Sequence, residues 1–168
     1  MPESGMAGDA YGPLIEDQLN SERAAKSSFE QRAVAVITTS GVLVSLLFGL
    51  AAIVTSTEGF EAPYAARVLL AVALGFFLGA AVLGIAVNAP RGYEEAASDN
   101  LRLLTEQEFW EARQAIGSRR AAEVRVEILQ NARGANGRKA RLLLWAMGLE
   151  VAAVAIVGAA VVVVLIAD

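Results

Sequence analysis

The amino-acid sequence predicts an all-α integral membrane protein, and three observations lead to that fold class. Residues 33–57 form a run of 25 without a charged side chain, and residues 68–90 form a second run of 23. A third run of 17 uncharged residues follows Glu150. An uncharged apolar run of about 18 residues or more is long enough to cross a bilayer as a helix. The composition agrees with this class, since 55% of the residues are apolar and only 19% are charged.

Three transmembrane helices are predicted, at about residues 33–55, 67–89 and 142–167. Each is long enough for a hydrocarbon core of about 30 Å, because an α-helix rises about 1.5 Å per residue. The short connector between the first two spans contains Gly59 and Pro63, which are typical of a helix end and a new start. The three spans are therefore predicted to be separate helices.

The parts of the chain outside the spans are predicted to be partly helical. Residues 1–12 are expected to be a disordered tail, and residues 13–168 a single helical membrane domain. An amphipathic helix is expected to begin near Pro13, which suits a first turn, and to lead into the first span. Residues 90–141 are predicted to form a cytoplasmic insertion of two or three amphipathic helices, with a capping box at Thr105–Glu108 and breaks at Gly117–Ser118 and Gly134–Gly137.

The basic residues predict how the chain is threaded. Three of the fourteen Lys and Arg residues precede the first span, ten lie between the second and third spans, and Arg67 alone lies in the first connector. Thirteen therefore share one side of the membrane. Because cytoplasmic loops carry an excess of Lys and Arg, the sequence predicts a multi-pass protein of the inner (plasma) membrane. Its N-terminus is expected in the cytoplasm and its C-terminus outside.

The residue types that are missing exclude several kinds of chemistry. The chain has no Cys and no His, so thiolate catalysis, histidine general-base catalysis and the usual zinc sites are not expected. The acidic residues Glu106, Glu108 and Glu111 are spread over different helix faces, so no metal site is predicted there. A net charge of −4 argues against a nucleic-acid partner. We expect neither a cofactor nor an enzymatic activity.

Glu150 is the one ionisable residue well inside a predicted span. It lies about 12 Å along the helix from Leu142, where a carboxylate is costly to insert. Thr38, Thr39 and Ser40 reach a similar depth in the first span and are expected to form an intramembrane polar site with it. Two roles stay open, since the carboxyl could only join helices through hydrogen bonds or could take part in conduction or gating.

Small residues spaced about four apart are predicted to let the spans pack closely. Such residues allow helix backbones to approach in lipid, and the same spacing serves packing within one chain or in a homo-oligomer. A basic cluster is predicted near the inner leaflet and consists of Arg133, Arg138, Lys139 and Arg141. It could only determine the membrane topology, or it could bind anionic lipid head groups. Phe109 and Trp110 suit either core packing or a cytoplasmic protein partner. The predicted packing positions are Gly41, Ser45, Gly49, Ala71, Gly75, Gly79, Gly148 and Ala152.

One stretch of the chain resembles a known group of proteins. The residues from Ser21 to Ser28, which run directly into the span segment from Ala33 to Gly41, are similar to the start of the first span in the SLATT and Pycsar-type bacterial membrane effectors. The resemblance covers about residues 14–135 and implies a pore-forming or membrane-disrupting role in antiphage defence, triggered by a nucleotide signal sensed elsewhere. The third span departs from that pattern.

Two functional hypotheses follow for a protein embedded in the lipid bilayer. The first is a self-associating membrane effector or channel-like protein, with Glu150 and residues 38–40 as its inner polar site. The alternative is a membrane-anchored adaptor whose cytoplasmic helices bind a protein partner. An enzyme acting on lipids ranks last, because the residue types that catalyse such reactions are nearly absent.

Overall fold

The computed structural model describes residues 7–56, 62–89 and 114–167, and all three ranges are almost entirely helical. Helix α1 spans Ala7–Ser56, α2 spans Tyr64–Asn88 and α3 spans Gln114–Ala167. Each helix contains a stretch long and apolar enough to cross a membrane. The predicted all-α class with three spans is therefore confirmed.

Several predictions fall on residues outside the described ranges. They are the capping box at Thr105–Glu108, the aromatic pair Phe109 and Trp110, the dismissed metal site at Glu106, Glu108 and Glu111, and residues 1–6 of the tail. The number of helices in the insertion and the single domain over residues 13–168 stay predictions.

Helix α1 begins earlier than its sequence predicts. It starts at Ala7 and contains Pro13, so the expected start near Pro13 was wrong and residues 7–12 are helical rather than part of a tail. A proline lacks the N–H that would bond the carbonyl four residues back and crowds that carbonyl. The other backbone hydrogen bonds around Pro13 can still form, so the helix continues through this position.

Helix α3 is continuous where two breaks were expected. Residues 117–118 and 134–137 are helical, so both predicted breaks were wrong. A glycine in a helix costs only about 1 kcal/mol relative to alanine. Contacts of neighbouring residues offset that cost, because Asn136, between Gly134 and Gly137, is buried and hydrogen-bonded to α1.

The described residues divide into two compact units. Unit one contains residues 7–28 and 114–138, and unit two contains residues 29–56, 62–89 and 139–167. In unit one, α1 and α3 lie side by side and run parallel, since Glu16 pairs with Arg125 and Glu22 with Arg133 further along both helices. The apolar residues Leu19, Val124 and Leu129 are buried in this unit.

Unit one also carries charged pairs on its surface. Arg120 donates a hydrogen bond to Glu123 at 2.9 Å, and Arg119 donates a second at 3.3 Å. The bond from Arg120, followed by that from Arg119, lowers the pKa of Glu123. Exposed pairs of this kind on one helix add little stability.

Unit two has a closely packed core of small and medium apolar residues. Its six fully packed members come from all three helices: Ala33, Val36, Ala80, Val87, Leu143 and Ala146. The buried residues of α2 recur every three or four positions at 73, 77, 80, 84 and 87, which is the spacing of left-handed helix packing. Helix α2 runs opposite to its neighbours, since Gly84 lies near Ala33 and Ile37 while Gly79 lies near Leu149.

Candidate functional site

Unit two brings the Glu150 carboxyl and the Ser40 hydroxyl together inside the helix packing. Ser40 follows Ala33 and Val36 on the buried face of α1, and only 1% of its surface is exposed. Glu150 is half-buried on α3, and the Ser40 hydroxyl lies close enough to influence its carboxyl. Of the three residues expected beside Glu150, the structure places Ser40 there, and the intramembrane polar site stays a prediction.

The two groups are close, but they do not satisfy each other. Neither the Ser40 Oγ atom nor the Glu150 Oε1 atom has a hydrogen-bond partner of good geometry in the described part of the chain. A buried polar atom without a partner costs about 1–3 kcal/mol, so such atoms require an explanation. The two atoms could be satisfied by a water molecule or by an added proton. They could also bond each other if α1 shifted against α3.

Thr38 and Thr39 do not join this site. The Thr38 hydroxyl donates to the Val34 carbonyl oxygen at 3.0 Å, and the Thr39 hydroxyl donates to the Ala35 carbonyl oxygen at 2.9 Å. Both threonines are exposed on α1. Successive helical residues point about 100° apart, so only one of the three neighbours can face α3, and that residue is Ser40.

Most of the predicted packing residues lie on helix faces that do not contact another helix of the chain. A methyl group added at Gly41, Gly49, Gly75 or Gly148 would meet nothing within 4 Å, and Ser45 and Ala71 are exposed. Of the predicted glycines, only Gly79 faces another helix closely, since a Cβ atom added there would lie 3.3 Å from Leu149 Cδ1, while Ala152 is half-buried. Most of these positions do not pack the helices of one chain together.

The close approaches inside unit two depend on other small residues. A Cβ atom at Gly84 would lie 2.8 Å from Ile37 Cγ1 and 3.2 Å from the Ala33 carbonyl oxygen. The alternation of four and three residues through Ala73, Phe77, Ala80 and Gly84 was the sequence signal that could have identified this face. Further alanines with at most 1% of their surface exposed support the same packing: Ala33, Ala66, Ala146, Ala153 and Ala160.

Two members of the basic cluster that the sequence predicts near the inner leaflet form ion pairs. In unit two, Lys139 is buried and its ammonium bonds the Glu30 carboxylate. In unit one, Arg133 donates to Glu22 at 3.2 Å and to Gln18 at 3.0 Å. Arg138 and Arg141 are exposed. The sequence did not predict these pairs, because each joins residues more than 100 positions apart.

Unit one contains a polar contact that sequence reasoning missed. The Asn136 side chain is 5% exposed and donates to both the Glu22 backbone carbonyl and the Glu22 carboxylate, each at 2.9 Å. A buried amide at such a position fixes the register of two helices. The described residues contain no group of three or more side chains able to hold a metal ion.

The fold and this site define a class: a small multi-pass helical membrane protein with a half-buried glutamate in its span packing. Comparison with known families makes the assignment specific. The model of the Pycsar effector protein domain, PycTM, matches residues 15–167, and the chain belongs to this family. It is therefore a membrane effector of the Pycsar type, which confirms that part of the resemblance. No curated protein and no solved structure shows significant similarity to it.

Proposed function

We propose that this chain is a self-associating, non-enzymatic effector that opens a path through the inner membrane during antiphage defence. The observation that carries the proposal is the half-buried Glu150, which lies near Ser40 in a predicted span and whose buried Oε1 atom has no hydrogen-bond partner in the described part of the chain. Ionisable residues inside spans usually face other helices or water and mark paths, relays or switches.

The packing of unit two supports assembly of several copies. Its core is filled by side chains of all three helices, with exposures between 0% and 6% for the six central residues. Three helices packed in this way leave little room for ions between them. A conducting path would therefore form between copies, and the lipid bilayer and other copies of the chain would be its main partners.

Glu150 is suited to control such a path rather than to line it. It meets Ser40 across α1 and α3, the two helices that run parallel in unit two. A change in its protonation or partners would change how α1 packs on α3, and a two-state arrangement of helices of this kind is a common basis for gating. The orientation with the N-terminus inside is part of this proposal.

The test compares variants of the polar pair in two assays. Membrane depolarisation would be followed in bacteria that overproduce the chain, and ion flux would be followed in liposomes containing the purified protein. Glu150→Gln keeps the size and hydrogen-bonding capacity, so we expect normal folding and loss of depolarisation and flux. Ser40→Ala should alter both readouts, whereas the neighbouring Thr39→Ala, outside the pair, serves as the matched control.

The outcomes separate the proposal from its rival. Wild-type protein that neither depolarises cells nor releases ions would contradict the effector proposal and favour a membrane-anchored adaptor. Wild-type behaviour of both Glu150→Gln and Glu150→Leu would remove the role assigned to the carboxyl. Mass measurement of the complex in nanodiscs tests self-association directly, because a path between copies requires more than one chain.

A further inference from the structure

Helix α1 has a second regular face, which points away from the buried one. Its positions recur every three or four residues and consist of Gln31, Val34, Thr38, Gly41, Ser45 and Gly49; we call them the outer seam. Every one of them is exposed in unit two, whereas Ala33, Val36 and Ser40 occupy the buried face of the same helix. Val34 is the only large apolar residue among the six.

The outward faces of the other two helices are different. Their exposed residues within the spans are mostly large and apolar, as expected for side chains in contact with lipid tails. On α2 they include Val68, Val72, Leu78, Val82 and Ile85, and on α3 they include Val151, Val154, Val161, Val162, Leu165 and Ile166. Helix α1 also exposes large apolar side chains beside the outer seam, at Val42, Leu46, Phe48 and Leu50. The outer seam itself is the face of α1 on which Gln31, Thr38 and Ser45 recur together with Gly41 and Gly49.

The hydroxyls of the outer seam are bonded in a way that suits two environments. Thr38 donates to the Val34 carbonyl oxygen at 3.0 Å, and Ser45 donates to the Gly41 carbonyl oxygen at 2.9 Å. These bonds satisfy the donor, which lowers the cost of exposing the hydroxyl to lipid when a single copy inserts. The oxygen lone pairs stay available to water after assembly.

The outer seam covers most of the first predicted span. Gln31 lies just before that span, and from Val34 to Gly49 there are 15 helical steps, which correspond to about 22 Å. The hydrocarbon core is about 30 Å thick. A face of this length with small side chains carries the Thr38 and Ser45 hydroxyls within the core and leaves space beside the helix.

We propose that the outer seam of α1 lines the water-filled path that forms between copies of this chain. The inference rests on the proposed function, since it requires a path between copies. The apolar outward residues of α2 and α3 then face lipid, and the occupant of the space beside the outer seam is water with its dissolved ions.

Single cysteines test this arrangement, and the natural chain contains no Cys to interfere. Thr38→Cys and Ser45→Cys would be placed on the outer seam. Their matched controls are Thr39→Cys and Leu46→Cys, which are exposed at the same depth but point about 100° away. Each variant would be treated with a small, positively charged, membrane-impermeant methanethiosulfonate reagent during flux measurements in liposomes.

We expect the reagent to abolish flux through the two outer-seam variants and to leave flux through the two controls unchanged. If flux persists in all four variants while no outer-seam cysteine is modified, the inference fails although the proposed function stands. The inference also fails, and the proposed function still stands, if the control cysteines react with the reagent as fast as the cysteines of the outer seam. Absence of flux in every protein, wild type included, would overturn both the path and its lining.

Discussion

At the scale of single residues, the polar side chains buried between helices decide which arrangement of the helices is stable. Asn136 is placed between two acceptors on Glu22, its backbone carbonyl and its carboxylate. Ser40 and Glu150 are close but leave one buried atom each without a partner. The first contact fixes a register in unit one, and the second leaves unit two with a polar pair that can change partners.

Replacement of the buried amide tests the first contact. In Asn136→Asp the Nδ2 donor is lost and a carboxylate is placed beside the Glu22 carboxylate, so we expect a loss of about 1–3 kcal/mol in stability. The thermal unfolding midpoint of the detergent-solubilised full chain measures it. Asn131→Asp introduces the same change at an exposed position of α3 and should leave the midpoint almost unchanged. Equal midpoints for both variants would contradict a register role.

At the scale of helices, the position of a glycine matters more than its presence. Gly84 allows α1 and α2 to approach, because a Cβ atom there would lie 3.2 Å from the backbone carbonyl oxygen of Ala33. Gly75 is also on α2 and has open space around it. The same substitution at the two sites therefore has different consequences.

Gly84→Ala should destabilise unit two by roughly 1–3 kcal/mol, which is typical of overpacking. The Ile37 side chain can rotate, but the Ala33 carbonyl can retreat only if α1 moves. Gly75→Ala meets no atom and replaces a poor helix former, so its stability should stay the same or rise. Resistance to thermal unfolding in one detergent compares the two directly. A Gly84→Ala protein as stable as Gly75→Ala would contradict the observed helix contact.

At the scale of the whole molecule, the directions of the helices within unit two agree with three successive crossings. Helices α1 and α3 are parallel and α2 is antiparallel to them, as the Glu30–Lys139 pair and the contacts of Gly84 and Gly79 show. Three crossings predict that the start of α1 and the end of α3 lie on opposite sides of the membrane. The distribution of basic residues predicts which side is which.

Labelling in intact cells tests that orientation. Cysteines introduced at Ser28 and Ser118 should be shielded from an impermeant thiol reagent, because we expect both positions in the cytoplasm. A cysteine at Ser56, at the end of α1, should be labelled from outside. Membrane permeabilisation should make the first two reactive and serves as the control. Labelling of Ser118 in sealed cells would reverse the predicted threading.

The sequence by itself determined the class of the protein, the number of spans and the presence of a costly carboxyl at Glu150. These features depend on local composition, since the cost of placing a charge in lipid depends mainly on the residue and its depth. The family resemblance was likewise visible in the stretch from Ser21 to Gly41, and the family match over residues 15–167 agrees with it.

Only the tertiary structure decided which face of each helix is buried. Ser40 rather than Thr38 or Thr39 meets Glu150, Gly84 rather than Gly75 admits another helix, and α3 continues through Gly134 and Gly137. In lipid, apolar side chains gain little by choosing one apolar neighbour over another. The choice of face therefore depends on the shape and polar contacts of a partner helix, which for α1 and α3 lies more than 100 residues away in the chain.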